Sequence, residues 1–329
     1  MNMQTKLSAL IDKAVKTHSL NKEEIQALLD TRNMLIVQKL YEQADHVRLS
    51  HRGEGVHLIA SAWISGDSRE CIGSPFYGRY ADKSFKMSEK EIGMMGLWAR
   101  EFGFTHLILS SGNVSAFSSE ELLRIVQNLK AHKIEAILDC GERNIEDLNA
   151  LSQAKLRGYL LPIISSNSAY YRSCHSLLTQ DKQKQWNYRN KLQDVINDSQ
   201  TDLYTGAVVG MPQQTTGMLA DDLLYFQKLN PAAVFWQAYV SDKETDTEML
   251  LKLTALSRLL MPQVHLIVEP EPENIETDLL EQAILCGADI VLTDLTELFF
   301  DRSDAEENIK TSLNAQIDII RGWELFEYY

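Results

Sequence analysis

The sequence predicts a (β/α)8 barrel of the TIM type with an N-terminal helical extension. Three observations predict it. About eight short β-rich runs follow one another, amphipathic helical patterns separate them, and a length of 329 residues suits a barrel built as one unit.

Residues 1–50 read as the helical extension and residues 51–329 as the barrel, the two forming one domain. In the extension Leu7, Leu10, Ile11 and Val15 recur at helical spacing, and Asn21 with Glu24 makes a capping box ahead of IQALLD. After the turn HRGEG, strands are expected at 56–65, 105–111, 134–140, 158–164, 202–210, 232–238, 264–270 and 289–294. Segments such as SEKEIGMMGLWAREFG, SSEELLRIVQNLKAHK and TEMLLKLTALSRLL supply the crossover helices. The 165–201 connection is longer and polar, with one or two helices expected around HSLLTQ and YRNKLQDVIN.

With 44% hydrophobic and 24% charged residues the composition is that of an ordinary globular protein. A net charge of −14 argues against a nucleic-acid partner, because phosphate backbones are met by clustered Lys and Arg. No run approaches the ~20 apolar residues of a spanning helix, and the first residues lack an apolar signal segment, so no membrane partner is expected. Cys71, Cys140, Cys174 and Cys286 show no paired spacing, which excludes a disulfide framework or zinc ribbon and points to the cytoplasm. Cys174–His175 cannot complete a tetrahedral site, and no metal site is assigned. P-loop, dinucleotide-binding, HExxH and GxSxG motifs are all absent.

In a barrel of this kind, working groups sit at the strand ends and in the loops just beyond them. The candidate ligand-binding residues are Gly112 and Asn113 after the second strand, Asp139, Glu142 and Arg143 after the third, and Gly210 and Met211 after the fifth. Gln237 and Tyr239 join them from the sixth, Glu269 from the seventh and Asp294 from the eighth. The four carboxylates suit a hard divalent cation or a cationic ligand; the competing reading has Arg143 neutralising one or two of them in a structural salt bridge. His57 and His265 read as satisfied barrel-layer residues, and Cys140 and Cys286 as packing residues. Trp236 and Tyr239 either stack on a planar ligand or pack.

A family resemblance runs over roughly residues 35–300, carried by co-linear blocks. They are LYEQADHVR (40–48), KMSEKEI (86–92), LILSSGN (107–113), CGER (140–143), YLLPIISSN (159–167), VVGMPQQT (208–215) and CGADIVLTDLT (286–296). In this order they resemble the HydE-type radical-SAM proteins, with PylB and biotin synthase as more distant relatives. The resemblance implies a CxxxCxxC loop after the first strand, whose three thiolates hold a 4Fe–4S cluster and leave one iron for S-adenosylmethionine. Here that loop, SGDSRECIGSPFYGRYADKSFKM, has one cysteine. Cys71 takes either the middle position, flanked by Ser68 and Ser74, or the first, followed by Pro75 and Gly78. The Gly–Glu pair implied after strand two is Gly112–Asn113, and the Arg–His–Glu stretch implied after strand four aligns with Pro162, Ile163 and Ile164. Gly141–Glu142–Arg143 and Val209–Gly210–Met211–Pro212 keep the family's pattern.

No cofactor is therefore expected. The cluster lacks its thiolates, and the positions implied to hold S-adenosylmethionine after strands two and four are altered too, so that its binding, though conceivable, is not expected either. The function expected is that of a pseudo-enzyme binding a small molecule, or a partner protein such as an active relative, in a biosynthetic or maturation pathway. Two alternatives stand beside it: a repurposed lyase, isomerase or hydrolase working through an acidic mouth, and an atypical radical-SAM enzyme with unusual ligation. Catalytic residues are not assigned.

Overall fold

Eight parallel strands close on themselves in the computed structural model, which describes residues 2–66, 84–111, 116–163, 165–174, 182–239, 247–268 and 277–322. They are β1 (His57–Trp63), β2 (His106–Ser110), β3 (Glu135–Asp139), β4 (Gly158–Leu160), β5 (Asp202–Val209), β6 (Ala233–Ala238), β7 (His265–Val268) and β8 (Ile290–Asp294). Each pairs in parallel with the next, and β8 pairs back onto β1 with His57 opposite Ile290. This is the barrel the sequence predicts. The fourth strand is shorter than expected because Pro162 has no amide to donate; Leu161 and Ile163 on either side still donate to the β5 carbonyls of Tyr204 and Gly206 at 2.9 and 2.8 Å.

Period-two alternation sorts the strand residues into inner and outer faces. Ile59, Ile108, Ile137, Leu160, Tyr204, Ile267 and Ile290 pack together as the inner cluster, joined by Phe235 and Leu292. The barrel is thus filled with side chains rather than open along its axis. The alternate residues, among them Ala60, Leu107, Leu138, Val234 and Leu266, face the helices in two larger outer clusters.

The extension consists of α1 (Met3–Thr17), α2 (Lys22–Leu29) and α3 (Met34–Arg52). Asn21 and Glu24 form the expected capping box, and Leu7 and Ile11 are buried. The outer ring begins with α4 (Glu89–Glu101), α5 (Ser119–Ala131) and α6 (Ile145–Gln153), the first two opened by capping boxes at Ser88 and Ser118. The long connection holds α7 (Ser168–Cys174) and α8 (Lys182–Asn197). The first of these starts ahead of HSLLTQ because the Asn167 side chain accepts from the amides of Ala169 and Tyr170. Then follow α9 (Thr216–Leu229), α10 (Thr247–Leu260) and α11 (Thr277–Leu285). Beyond β8 lie α12 (Glu297–Phe300) and α13 (Arg302–Gly322), helices that the strand–helix alternation did not anticipate; α13 docks through a 2.8 Å bond from Thr293 to Gln316. The extension joins the ring directly, since α1–α3 share one apolar cluster with α9 and α10. Among the described residues no helix is long and apolar enough to cross a membrane.

The barrel's N-terminal floor is tied together by Asp289, which is wholly buried just before β8. Its Oδ1 accepts from the Arg258 guanidinium at 2.9 Å and the Leu266 amide at 2.7 Å. Its Oδ2 accepts from Arg52 at 2.9 Å and His265 at 2.8 Å. The carboxylate therefore joins α3, α10, β7 and β8. Burial alone would raise its pKa, but the His265 bond, Arg258 and the Leu266 amide outweigh burial and hold it well below the usual carboxylate range. Gly287 permits the close approach: its φ is +102°, and a Cβ there would lie 2.6 Å from that of Arg258.

Arg258→Met should cost about 3–5 kcal/mol in chemical denaturation, because it strands a buried charge. A loss below about 1 kcal/mol would remove Asp289 from this role. A depressed carboxylate stabilises above its unfolded pKa and loses that contribution as pH falls through its folded pKa. The Asp289 share should therefore be complete at neutral pH and vanish only in strong acid, as an acid-unfolding titration of wild type against Asp289→Asn would read.

Candidate functional site

The C-terminal mouth is built from the strand residues that follow the inner cluster by two positions. That parity puts Ser61, Ser110, Asp139, Gln237 and Asp294 on the inward face, one layer above Ile59, Ile108, Ile137, Phe235 and Leu292. Ser110 and Asp139 are buried, while Ser61, Gln237 and Asp294 are half-buried. The layer offers hydroxyl, amide and carboxylate groups. An antiparallel ladder, Ser65–Gly66 with Phe85–Lys86, pins both ends of the β1 loop beside this rim, and the Ser65 hydroxyl donates to the Ser111 carbonyl at 3.0 Å.

Four side chains brace the rim between β3 and β5. Arg189 of α8, almost fully buried, donates to Glu142 at 2.9 Å and to the Pro162 carbonyl, joining the loops after β3 and β4. Tyr188 beside it donates to the Arg143 carbonyl at 2.9 Å. Asp222 of α9 accepts from the Ser165 hydroxyl at 3.0 Å and from the amide and hydroxyl of Ser166 at 2.5 and 2.7 Å, all on Oδ1. Tyr170 reaches the loop after β5 by donating to the Pro212 carbonyl at 2.8 Å.

Several expectations are revised by this geometry. Glu142 is paired with Arg189, which the sequence did not single out, while Arg143 reaches back to the Phe117 carbonyl at the start of α5. Gly210 has a φ of +89° and open space where a Cβ would stand, so the backbone turn itself asks for glycine; the Gln214 side chain closes that turn by accepting from the Gly210 amide. Met211 packs with Tyr170, Tyr171 and Val208, against Trp186, Met218 and Tyr239, as part of an apolar rim cluster. Trp236 faces outward and donates to Ser257 of α10 at 2.9 Å, so packing, not ligand stacking, explains it. Asp294 lies inward at the end of β8 and also braces its own turn, accepting from the Thr296 amide at 2.8 Å. Gly112, Asn113, Glu269, Ser68, Cys71 and Ser74 lie outside the described residues.

Glu269, the fourth carboxylate of the acidic-mouth reading, lies outside the described residues. Among the described residues, Asp139, Glu142 and Asp294 form no three-ligand group; the one such group is His57, His265 and Asp289 on the floor. There Arg52 already stands against His265 and Asp289, and Arg258 takes the other oxygen of Asp289, so chain cations fill the place a metal would take. Burial and the nearby His265 lower the pKa of His57 to about 4, leaving it neutral as the layer reading requires. A cavity of about 10 Å³ on the barrel flank, lined by Leu148, Tyr159, Ile196 and Thr201, has room for one water and lies away from the mouth.

The thiols can be tested against an iron–sulfur cluster directly. Cys140 ends β3 at the mouth and Cys286 precedes β8 at the floor, so the two described free cysteines stand at opposite ends of the barrel. Burial pushes the Cys140 thiol up to about 12 and raises Cys286 as well, which disfavours the thiolate that iron needs. These two residues do not fit a cluster, and both are the packing residues the sequence suggests.

The closed parallel barrel with its strand-end mouth and N-terminal helices has the radical-SAM fold. The structure of methylornithine synthase, PylB, shares it at a TM-score of 0.69 and 18% identity, over 86% of this chain and 85% of that one. HydG of Carboxydothermus hydrogenoformans, an FeFe-hydrogenase maturase, superposes at 0.71 and 18% identity, over 88% and 71%. In sequence, the FeFe-hydrogenase maturase subunit HydE of Thermotoga maritima is 25% identical over 274 residues, 79% of this chain and 76% of the relative. No protein-family model matches the chain. In sequence the chain is similar to the HydE/PylB/biotin-synthase-like subgroup of the radical-SAM superfamily, as its sequence blocks indicate, and it shares the fold of PylB and HydG.

This kinship overturns the expectation of a cofactor-free protein. The proteins with which the chain groups are radical-SAM enzymes, whose chemistry uses S-adenosylmethionine and a 4Fe–4S cluster. The expectation rested on the thiols of the β1 loop, which the described residues do not include, and on the altered positions Gly112–Asn113 and Pro162–Ile163–Ile164.

Asp222 gives the mouth a pH signature. Burial pushes its pKa up to about 6, against the lowering effect of the Ser166 and Ser165 donors. A carboxyl whose folded pKa is raised stabilises fully below its unfolded pKa, and this contribution disappears as pH rises through about 6. Relative to Asp222→Asn, wild-type unfolding free energy should therefore fall by ~2 kcal/mol between pH 4 and 7.5. Parallel pH–stability curves would contradict this.

Proposed function

We propose that this chain is a HydE-type member of the radical-SAM fold that binds a small molecule at the barrel mouth without conventional radical turnover, in a maturation or biosynthetic pathway. The observation that carries the reading is the contrast between mouth and loop. The rim is built and braced by Asp222, Arg189 and Tyr170, and it encloses an inward layer of Ser61, Ser110, Asp139, Gln237 and Asp294. The β1 loop, by contrast, carries a single cysteine where the fold's catalysts carry three.

S-adenosylmethionine is the first ligand this reading nominates. Its ammonium and ribose hydroxyls are donors, and the inward carboxylates and hydroxyls supply acceptors. Asp139 and Asp294 would orient such a ligand, while the Ser110 hydroxyl would bond its polar atoms. The rim braces would hold the adjoining backbone in place. When bound to a reduced cluster, S-adenosylmethionine supplies an organic radical.

Equilibrium binding of S-adenosylmethionine should be saturable at one per chain, before or after anaerobic loading with iron and sulfide. Asp139→Asn or Asp294→Asn should weaken it about tenfold, the loss of one charge-assisted hydrogen bond. Absence of saturable binding, or binding indifferent to both changes, would refute the site. Formation of 5′-deoxyadenosine by the loaded, reduced protein would refute the non-catalytic assignment.

A further inference from the structure

We propose that Asp222 is a proton-sensitive positioning residue that latches the loop after β4 against α9 and, through α7, sets the loop after β5. This role rests on the reading of the mouth as the ligand site and concerns the regulation of that site. Its geometric basis is a buried, lopsided carboxylate. Asp222 is wholly buried between Leu219, Ala220, Leu223 and Phe226 of its own helix, all core residues. Oδ1 receives three donors, two hydroxyls and one amide, whereas Oδ2 has no hydrogen-bond partner among the described residues. A proton added to this group therefore goes to Oδ2, the oxygen with unused lone pairs.

The latch is continuous from helix to rim. Ser165, held by Asp222, accepts from the Asn167 amide at 3.2 Å. Asn167 in turn caps α7 through its side-chain oxygen at 3.1 and 3.0 Å from the amides of Ala169 and Tyr170. Tyr170 donates to Pro212, in the loop that carries Gly210 and Met211. One carboxylate thus fixes the loops that follow two adjacent barrel strands.

Few charges compete for control of Asp222. Asp221, next to it, raises its pKa and is paired with Lys22 of α2 at 2.5 Å. From α8, Arg189 is committed to Glu142 and the Pro162 carbonyl. From α10, Lys252 is held by the carbonyls of Leu29 and Thr31 and by Glu248. The loop side offers only Ser165, Ser166 and Asn167, which do not titrate.

The direction follows from linkage with the released loop as reference. Releasing the loop removes the Ser165 and Ser166 donors and opens the carboxyl to water, whereas the closed loop keeps it buried; burial outweighs the donors, so the closed latch holds the proton more tightly than the open one. Protonation therefore tightens the latch and ionisation loosens it, the same sign as for global unfolding.

Hydrogen exchange of full-length protein, read by mass spectrometry and corrected for intrinsic rates, tests the latch without any ligand. Between pH 7.5 and 5, protection of peptides covering 163–174 should rise about fivefold to tenfold in wild type, while peptides from β2 and β3 stay constant. In Asp222→Asn the same peptides should show a protection that no longer depends on pH. Flat or falling protection in wild type on acidification would overturn the proposal, as would an unchanged profile in the variant. Ser166→Ala, which keeps the carboxyl but removes one donor, should move the midpoint upward; no movement would also overturn it. None of these readouts involves S-adenosylmethionine, so their failure is distinguishable from failure of the mouth as a binding site.

Discussion

The barrel depends on a buried carboxylate at its floor. Asp289 accepts from two guanidinia, an imidazole and a backbone amide, and these come from α3, α10 and β7. Closing a parallel barrel demands that the last strand find the first, and Asp289 sits immediately before β8, whose Ile290 pairs with His57. Arg52, the last residue of α3, reaches the same carboxylate. The extension is therefore bolted to the barrel at the seam where it closes. A lone charge so deeply buried would be prohibitive; here four donors replace its water.

Mouth and floor divide the work of the fold. On the floor, Asp289 is saturated by the chain's own groups: Arg52, Arg258, His265 and the Leu266 amide. At the mouth, polar side chains project from strand ends whose backbone is already satisfied by the ladder, so they can change without unpairing the barrel. Arg189 and Asp222 occupy an intermediate position. They stand outside the inward layer yet set the loops around it, one by donating to backbone and carboxylate and the other by accepting from hydroxyls and an amide.

Strand order and the helical ring were legible because period-two and period-3.6 patterns are local properties, and Asn21–Glu24 marked its helix start in four residues. The braces were harder to see because their partners are distant in sequence: Glu142 and Arg189 are 47 residues apart, and Asp222 is 57 from Ser165. A local signal did exist. Arg189 shares a helical stripe with Leu192 and Ile196, and Asp222 shares one with Leu219, Leu223 and Phe226. A charged residue on the apolar stripe of a crossover helix must be paired or hydrogen-bonded within the core. By that criterion both positions identify themselves, although their partners do not. The acidic mouth meets the complementary limit: strand-end position gives the layer, but not whether another residue already holds a carboxylate, as Arg189 holds Glu142.

The same separation explains how a chain can keep this fold while its β1 loop departs from the three-cysteine pattern. A cluster loop contributes thiolates to iron, whereas barrel closure is secured by Asp289, the filled inner layer and the apolar seam of extension and ring. None of these depends on the thiols of that loop. Loss of the rim braces would be felt at once, because each would leave a buried charge or donor without its partner.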